Sequence, residues 1–165
     1  MDGKKVSESA VTISRMMLPE DANPAGNVHG GVIMKNVDSA AGVAAMRHAR
    51  CNVVTASIEQ LNFHSPVFIG DLITLKASVN AVGRTSMEVG VRVDTEDLMT
   101  GKIRHTASAY LTFVALDPSG KTAVVPPLIL ETDEARRRNC QALLRKKARQ
   151  SGSDTGCGSS GSSVK

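Results

Sequence analysis

Apolar residues recur along this chain with two different periods, and the change of period divides it into elements. Val11 to Met17 alternates apolar and polar residues, which predicts a half-buried strand. The stretch from Leu18 to Gly26 is rich in turn formers and predicts a loop. From Gly31 the spacing changes: Val32, Ile33, Met34, Val37, Ala40, Ala41, Val43, Ala44, Ala45 and Met46 fill a segment of roughly four turns, which predicts a buried helix with many small side chains. Period two then returns in four segments: Val54 to Ile58, Ile73 to Ala81, Met87 to Val93 and Ile103 to Ala115. Turn signals separate these strands at His64-Ser65-Pro66, at Gly83-Arg84 and along the polar stretch Asp94 to Lys102.

The predicted order is therefore a strand, a helix and four long strands. The connections between the strands are too short for parallel crossovers, so the sheet should be antiparallel and the class α+β. One helix must then cover a whole curved sheet, and its alanines would let the strands wrap closely around it. Asp117-Pro118-Ser119-Gly120 has the preferences of a type I turn, and Val124-Val125-Pro126-Pro127 closes the sheet region. Glu131 to Gln150 predicts a second helix, with acids leading and bases trailing as the helix dipole prefers. The expected layout is a flexible N-terminus at 1–10, one domain at 11–130, a basic helix at 131–150 and a disordered Gly/Ser tail at 151–165.

Length and charge narrow the function. A chain of 165 residues suits one domain. The formal charge is +4, yet residues 1–130 hold twelve bases and twelve acids, so the excess lies in the C-terminal stretch. A neutral body with one Tyr, three Phe and no Trp lacks the basic stripe and stacking rings of a nucleic-acid binder. Cys51, Cys140 and Cys157 form no CxxC pair, so neither a disulfide framework nor a zinc site is expected, and a reducing cytoplasm fits. No apolar run approaches the ~18 residues of a membrane span. The sequence contains neither GxSxG nor HExxH, and Gly120-Lys121-Thr122 reads as a turn because Ala115 stands where a phosphate loop needs its first glycine.

The chemistry concentrates in Asn27-Val28-His29-Gly30-Gly31 and in Asp38, two turns along the helix. Paired glycines at a helix start permit close approach, and the free amides there would polarise a carbonyl oxygen as it becomes an oxyanion. A carboxylate in a mostly apolar wall would serve as base or nucleophile. A bland account stands beside this one: Lys35, Asp38 and Gly42 as the wet face of an amphipathic helix, His29 as its cap, and the glycines as packing.

Four motifs in order, Asn27 to Gly31 with Asp38, Phe63-His64-Ser65-Pro66-Val67 with Gly70-Asp71, Gly83 to Met87, and Asp117 to Lys121, make residues 11–150 resemble the hotdog acyl-CoA hydrolases of the bacterial YciA and vertebrate cytosolic types. The resemblance implies a hotdog fold, in which an antiparallel sheet wraps one long helix. It also implies hydrolysis of fatty acyl-CoA to free acid and coenzyme A, with no cofactor or metal beyond the substrate's own coenzyme A. Paired domains, often three pairs to a hexamer, would place sites between subunits. By that carry-over Asp38 and Asn27 are the catalytic pair, contributed by different subunits of a homodimer. His29, Gly30 and Gly31 would form the oxyanion and substrate site. Arg84, Thr85 and Ser86 would contact coenzyme A, against the alternative of a plain hairpin turn. His29 stands where the YciA type has Phe, so the acyl length accepted would differ. Two other functions on this fold compete: a non-catalytic acyl-CoA-binding protein, and an enoyl-CoA hydratase hinted at by Asp21 and His29.

Overall fold

The structure, a computed structural model, describes residues 1–152. Five strands, β2 (Val11–Met16), β3 (Asn52–Phe63), β4 (Leu72–Val82), β5 (Ser86–Asp97) and β6 (Lys102–Leu116), form one antiparallel sheet in the order β2-β4-β5-β6-β3. Helix α2 (Gly30–Ala49) crosses its inner face. The alternation predicted from sequence is observed along most of β4, β5 and β6, where alternate residues face that helix, whereas Val54, Ala56 and Ile58 of β3 lie exposed along the edge strand.

The buried side of α2 is Ile33, Val37, Ala40, Ala41, Ala44 and Ala45, at three- and four-residue intervals. Against it pack Ile73, Leu75, Val79, Val89, Val93, Leu111 and Phe113, all buried. Each large apolar side chain buried here contributes roughly 1.5–3 kcal/mol. The helix ends where Arg50 adopts the left-handed conformation, φ 56°, and its amide bonds Met46 O.

Residues 1–10, expected to be flexible, are instead built into the fold. Strand β1 (Lys4–Lys5) pairs in parallel with β7 (Leu128–Ile129), and a single turn, α1 (Val6–Ser9), follows it. The Lys4 ammonium donates to Arg47 O and His48 O, satisfying carbonyls that the end of α2 leaves without partners.

Two boundaries also move. The stretch Asp94 to Asp97, read as turn, continues β5, because its polar groups find partners: Thr95 and Thr106 hydroxyls lie 2.6 Å apart across to β6, and Asp94 takes Lys76 across on β4 and Arg92 two residues back on its own strand. Helix α3 (Asp133–Gly152) starts two residues later than expected, capped by Thr132 Oγ1, which accepts from the Ala135 amide. Ser151 and Gly152 belong to this helix, and the rest of the expected Gly/Ser tail lies outside the described residues.

Helix α3 lies on the outer face of the sheet. Its contacts there are mainly polar: Arg145 pairs with Glu88 at 2.6 Å and stacks 3.7 Å over Tyr110, Asn139 donates to Asn80 O, and Arg149 pairs with Glu59. Only Ala135 and Ala142 are apolar residues of α3 that are buried.

His48, near the end of α2, has no exposed surface, and its Nε2–H donates to Pro126 O at 2.9 Å. Burial holds its pKa below the usual imidazole range, an effect that the Pro126 carbonyl partly offsets. The folded protein therefore takes up this proton only below the pH at which the unfolded chain does, near 6.5. Stability from a neutral His48 is present above that pH and falls as pH drops through it. Replacing His48 with Gln should flatten this part of the curve. Urea midpoints measured between about pH 7.5 and 5 would check it, and equal slopes for both proteins would reject the role.

Candidate active site

The segment between β2 and α2 is organised by a buried carboxylate. Asp21 ends a single 3-10 turn, Pro19–Asp21, and accepts from the Arg15 guanidinium at 3.0 Å and from the Leu18 amide at 2.9 Å. Its own carbonyl accepts from the His29 amide, which seats the start of α2. Asn23 then folds the next turn. Its Oδ1 accepts from the Ala25 and Asn27 amides, while Asn23 N–H donates to Asn27 O at 2.7 Å. Gly26 adopts φ +84° inside this turn, a conformation that favours glycine.

A second buried carboxylate organises the facing loop. Asp71 accepts from the Phe68 amide at 2.9 Å and from Arg104 at 2.6 Å, and Arg104 also donates to Pro66 O. The two loops are stitched together by the Val28 amide to Val67 O and by a bridge between Asn27 and Phe68. Between them lies a cleft of about 410 Å³, lined by Asn23, Asn27, Gly30, Phe63, His64 and Ser65 among others.

The predicted residues separate into three groups. Asn27 and Gly30 line the cleft, as does Asn23, which sequence reasoning passed over. The Gly30 amide has no acceptor among the described residues, so it is a ready donor. Gly31 does not fit the role expected of it, because its amide is already bonded to His29 Nδ1 at 3.0 Å. His29 is thus the cap of α2, with its ring close enough that a Cβ at residue 31 would lie 3.1 Å from Nδ1. The bland account of His29 is the one its hydrogen bond supports.

Asp38 is half-buried on α2, eight residues and about 12 Å beyond Gly30 along the helix axis. It does not line the cleft of its own chain. Thr55 Oγ1 on β3 donates to Asp38 Oδ1 at 2.7 Å, and among the described residues no ion pair joins Asp38 to Lys35. Arg84, Thr85 and Ser86 form the β4–β5 hairpin. The Gly83 amide bonds Ser86 O, and the Arg84 and Thr85 carbonyls accept from Val125 and Ala115. Only the first of these is a turn bond, the other two tie the hairpin to β6 and to Val125, and none of the three residues borders the cleft of its own chain.

A long helix wrapped by one antiparallel sheet defines a hotdog protein, and here a cleft opens at the helix start with a half-buried carboxylate further along the helix. The sequence pattern of the thioesterase superfamily matches residues 25–102. A Bacillus subtilis protein named an uncharacterized acyl-CoA thioester hydrolase is 41% identical over 127 residues, covering 77% of this chain and 74% of that one. The rat cytosolic acyl coenzyme A thioester hydrolase is 38% identical over 135 residues, which is 81% of this chain and 35% of the rat protein. This chain thus spans about a third of the length of that mammalian relative. Among solved structures, a hexameric acyl-CoA thioesterase superposes with a TM-score of 0.90 at 38% identity, over 94% of this chain and 99% of that one. An acyl-CoA hydrolase of Staphylococcus aureus, solved with butyryl coenzyme A and coenzyme A, gives 0.83 at 38% identity, over 92% and 94%. Structures of that hydrolase also exist with an aspartate, an asparagine or a threonine replaced by alanine. This chain belongs to the hotdog acyl-CoA thioester hydrolases of the thioesterase superfamily.

If Asp21 holds the cleft loop in place, Asp21→Asn should loosen that loop without disturbing the sheet. Amide exchange at residues 18–29 should accelerate roughly tenfold, while β4 to β6 keep their protection. Unchanged exchange in the loop would show that the carboxylate is dispensable there.

Proposed function

We propose that this chain hydrolyses acyl-CoA thioesters to free acid and coenzyme A, without a resident cofactor. In this reading it is a cytosolic homodimer, three such pairs forming a hexamer, and each site is shared by two subunits. The observation that carries this reading is the placement of Asp38 and Thr55 beside an unpaired edge of the sheet. Strand β3 ends the sheet, so one side of its backbone has no strand partner among the described residues. Along it Val54 is 44% exposed, Ile58 42% and Phe63 50%, an apolar edge that a second copy would cover. An antiparallel pairing of two such strands centred near Glu59 would set Thr55 opposite Phe63 of the partner subunit. The Asp38–Thr55 pair of one subunit would then meet the cleft of the other.

In that site the Gly30 amide and the asparagine amide donate to the thioester carbonyl oxygen as it gains charge. Asp38 activates water or attacks the carbonyl itself, and the Thr55 hydroxyl orients it. The carbon–sulfur bond breaks to release a thiolate, whose conjugate acid has a pKa of ~8.5, so little acid assistance is required.

Between the two asparagines of the cleft, spacing favours Asn23. The alanine-substituted positions of the Staphylococcus aureus hydrolase are an asparagine, an aspartate fifteen residues later and a threonine seventeen after that. The same intervals separate Asn23, Asp38 and Thr55 here. Asn27, carried over first from resemblance, then acts through its backbone amide, which holds Asn23 Oδ1.

Asp38→Ala should lower kcat roughly 10²–10⁴-fold and Asn23→Ala roughly 10²–10³-fold, with folding and assembly intact. Thr55→Val should lower kcat less, and Thr55→Ser should restore it. Coexpressing the Asp38→Ala and Asn23→Ala chains tests the shared site. Random pairing leaves one intact site in half of the dimers, so about a quarter of wild-type activity should return. No recovery would mean that each subunit holds a complete site, and acyl-CoA binding without thiol release by the wild type would mean a binding protein.

A further inference from the structure

A second cavity, a groove of about 390 Å³, lies between the outer face of the sheet and α3, away from the cleft. Lys76 and Arg92 reach it from the sheet, Arg137, Arg138 and Arg145 from the helix, and Tyr110 also lines it. No Asp or Glu lines it. The carboxylates that neutralise these cations stand outside the lining and are too few. Asp94 serves both Lys76, at 3.3 Å, and Arg92, at 2.8 Å. Glu134 serves both Arg138, at 2.7 Å, and Arg137, at 3.9 Å. Glu88 takes Arg145 alone. Five cations thus share three carboxylates, which leaves the groove with an excess of two positive charges.

We propose that this groove binds a phosphorylated small molecule of about nucleotide size. A concave wall carrying two uncompensated charges attracts a dianion, and guanidinium groups match phosphate oxygens in both charge and shape. The Ser78 hydroxyl, which accepts from Arg138 and keeps its own proton, adds a neutral donor beside them. The volume falls in the range of small-molecule sites and exceeds what one phosphate fills. A ligand here touches sheet and helix at once, so it clamps α3, whose own attachment is mostly polar, onto the strands. Binding should therefore appear as thermal stabilisation.

The phosphates could come from the nucleotide end of coenzyme A or from a separate phosphorylated effector. The test uses the full chain with pyrophosphate, ADP and adenosine 3′,5′-bisphosphate, read by calorimetry and by Tm. Lys76→Gln and Arg137→Gln remove the excess charge without touching the Arg145–Glu88 pair. At least one probe should bind once per chain, raise Tm, weaken as salt increases, and lose roughly tenfold in affinity with each substitution. If the bisphosphate competes with acyl-CoA and the double variant raises KM at constant kcat, the ligand is the substrate's own nucleotide end. If a probe binds while KM is unchanged, the ligand is a separate effector. Binding by none of the three at about 10 mM, or equal binding by the double variant, would overturn the proposal.

Discussion

Ala40, Ala41, Ala44 and Ala45 set the separation between α2 and the sheet, and the rest of the molecule follows from that distance. None of them has exposed surface, and each presents one methyl group to the strands. A larger side chain at these positions would lift the helix or displace strands, at a cost of typically 1–3 kcal/mol. Because the helix sits so deep, its N-terminus emerges where the β2–α2 loop meets residues 64–68. Its flank at Asp38 comes within reach of the edge strand. Close packing at the centre therefore places the chemistry at the rim.

The rim is stiffened by Asp21 and Asp71, two buried carboxylates that each bond a backbone amide and an arginine. Neither faces the cleft, and each fixes one of the loops that form it. With the amides held in place, little reorganisation is needed when charge develops on a bound carbonyl.

Periodicity made the sheet and α2 legible, since burial on one face imposes a spacing that survives in sequence. What escaped it depends on partners far along the chain. Lys4 looks like an exposed terminal charge until its ammonium is seen against the carbonyls that end α2. Asp94 to Asp97 looks like loop because polar residues in a strand reveal themselves only through the opposite strand. The bases of α3 were legible only as complements to the helix dipole, and it takes Glu88 and Tyr110 to explain why Arg145 is docked. At the candidate site, Gly30 was legible from the helix start, and Asn27 only through the family resemblance. The engagement of the Gly31 amide by His29, and the bonds made by Asn23, were not, because they depend on side-chain rotamers.

The ladder between β3 and β6 shifts register twice, between Thr55 and Ser57 and between Ile58 and Gln60. Each shift adds a residue to one strand and bends it, so the outer edge of β3 offers only short straight runs to an incoming backbone. Such an edge admits one well-matched neighbour and discourages repeated addition. In the proposed dimer, association through it would be self-limiting, which would give an apolar border built-in protection against fibrillar stacking.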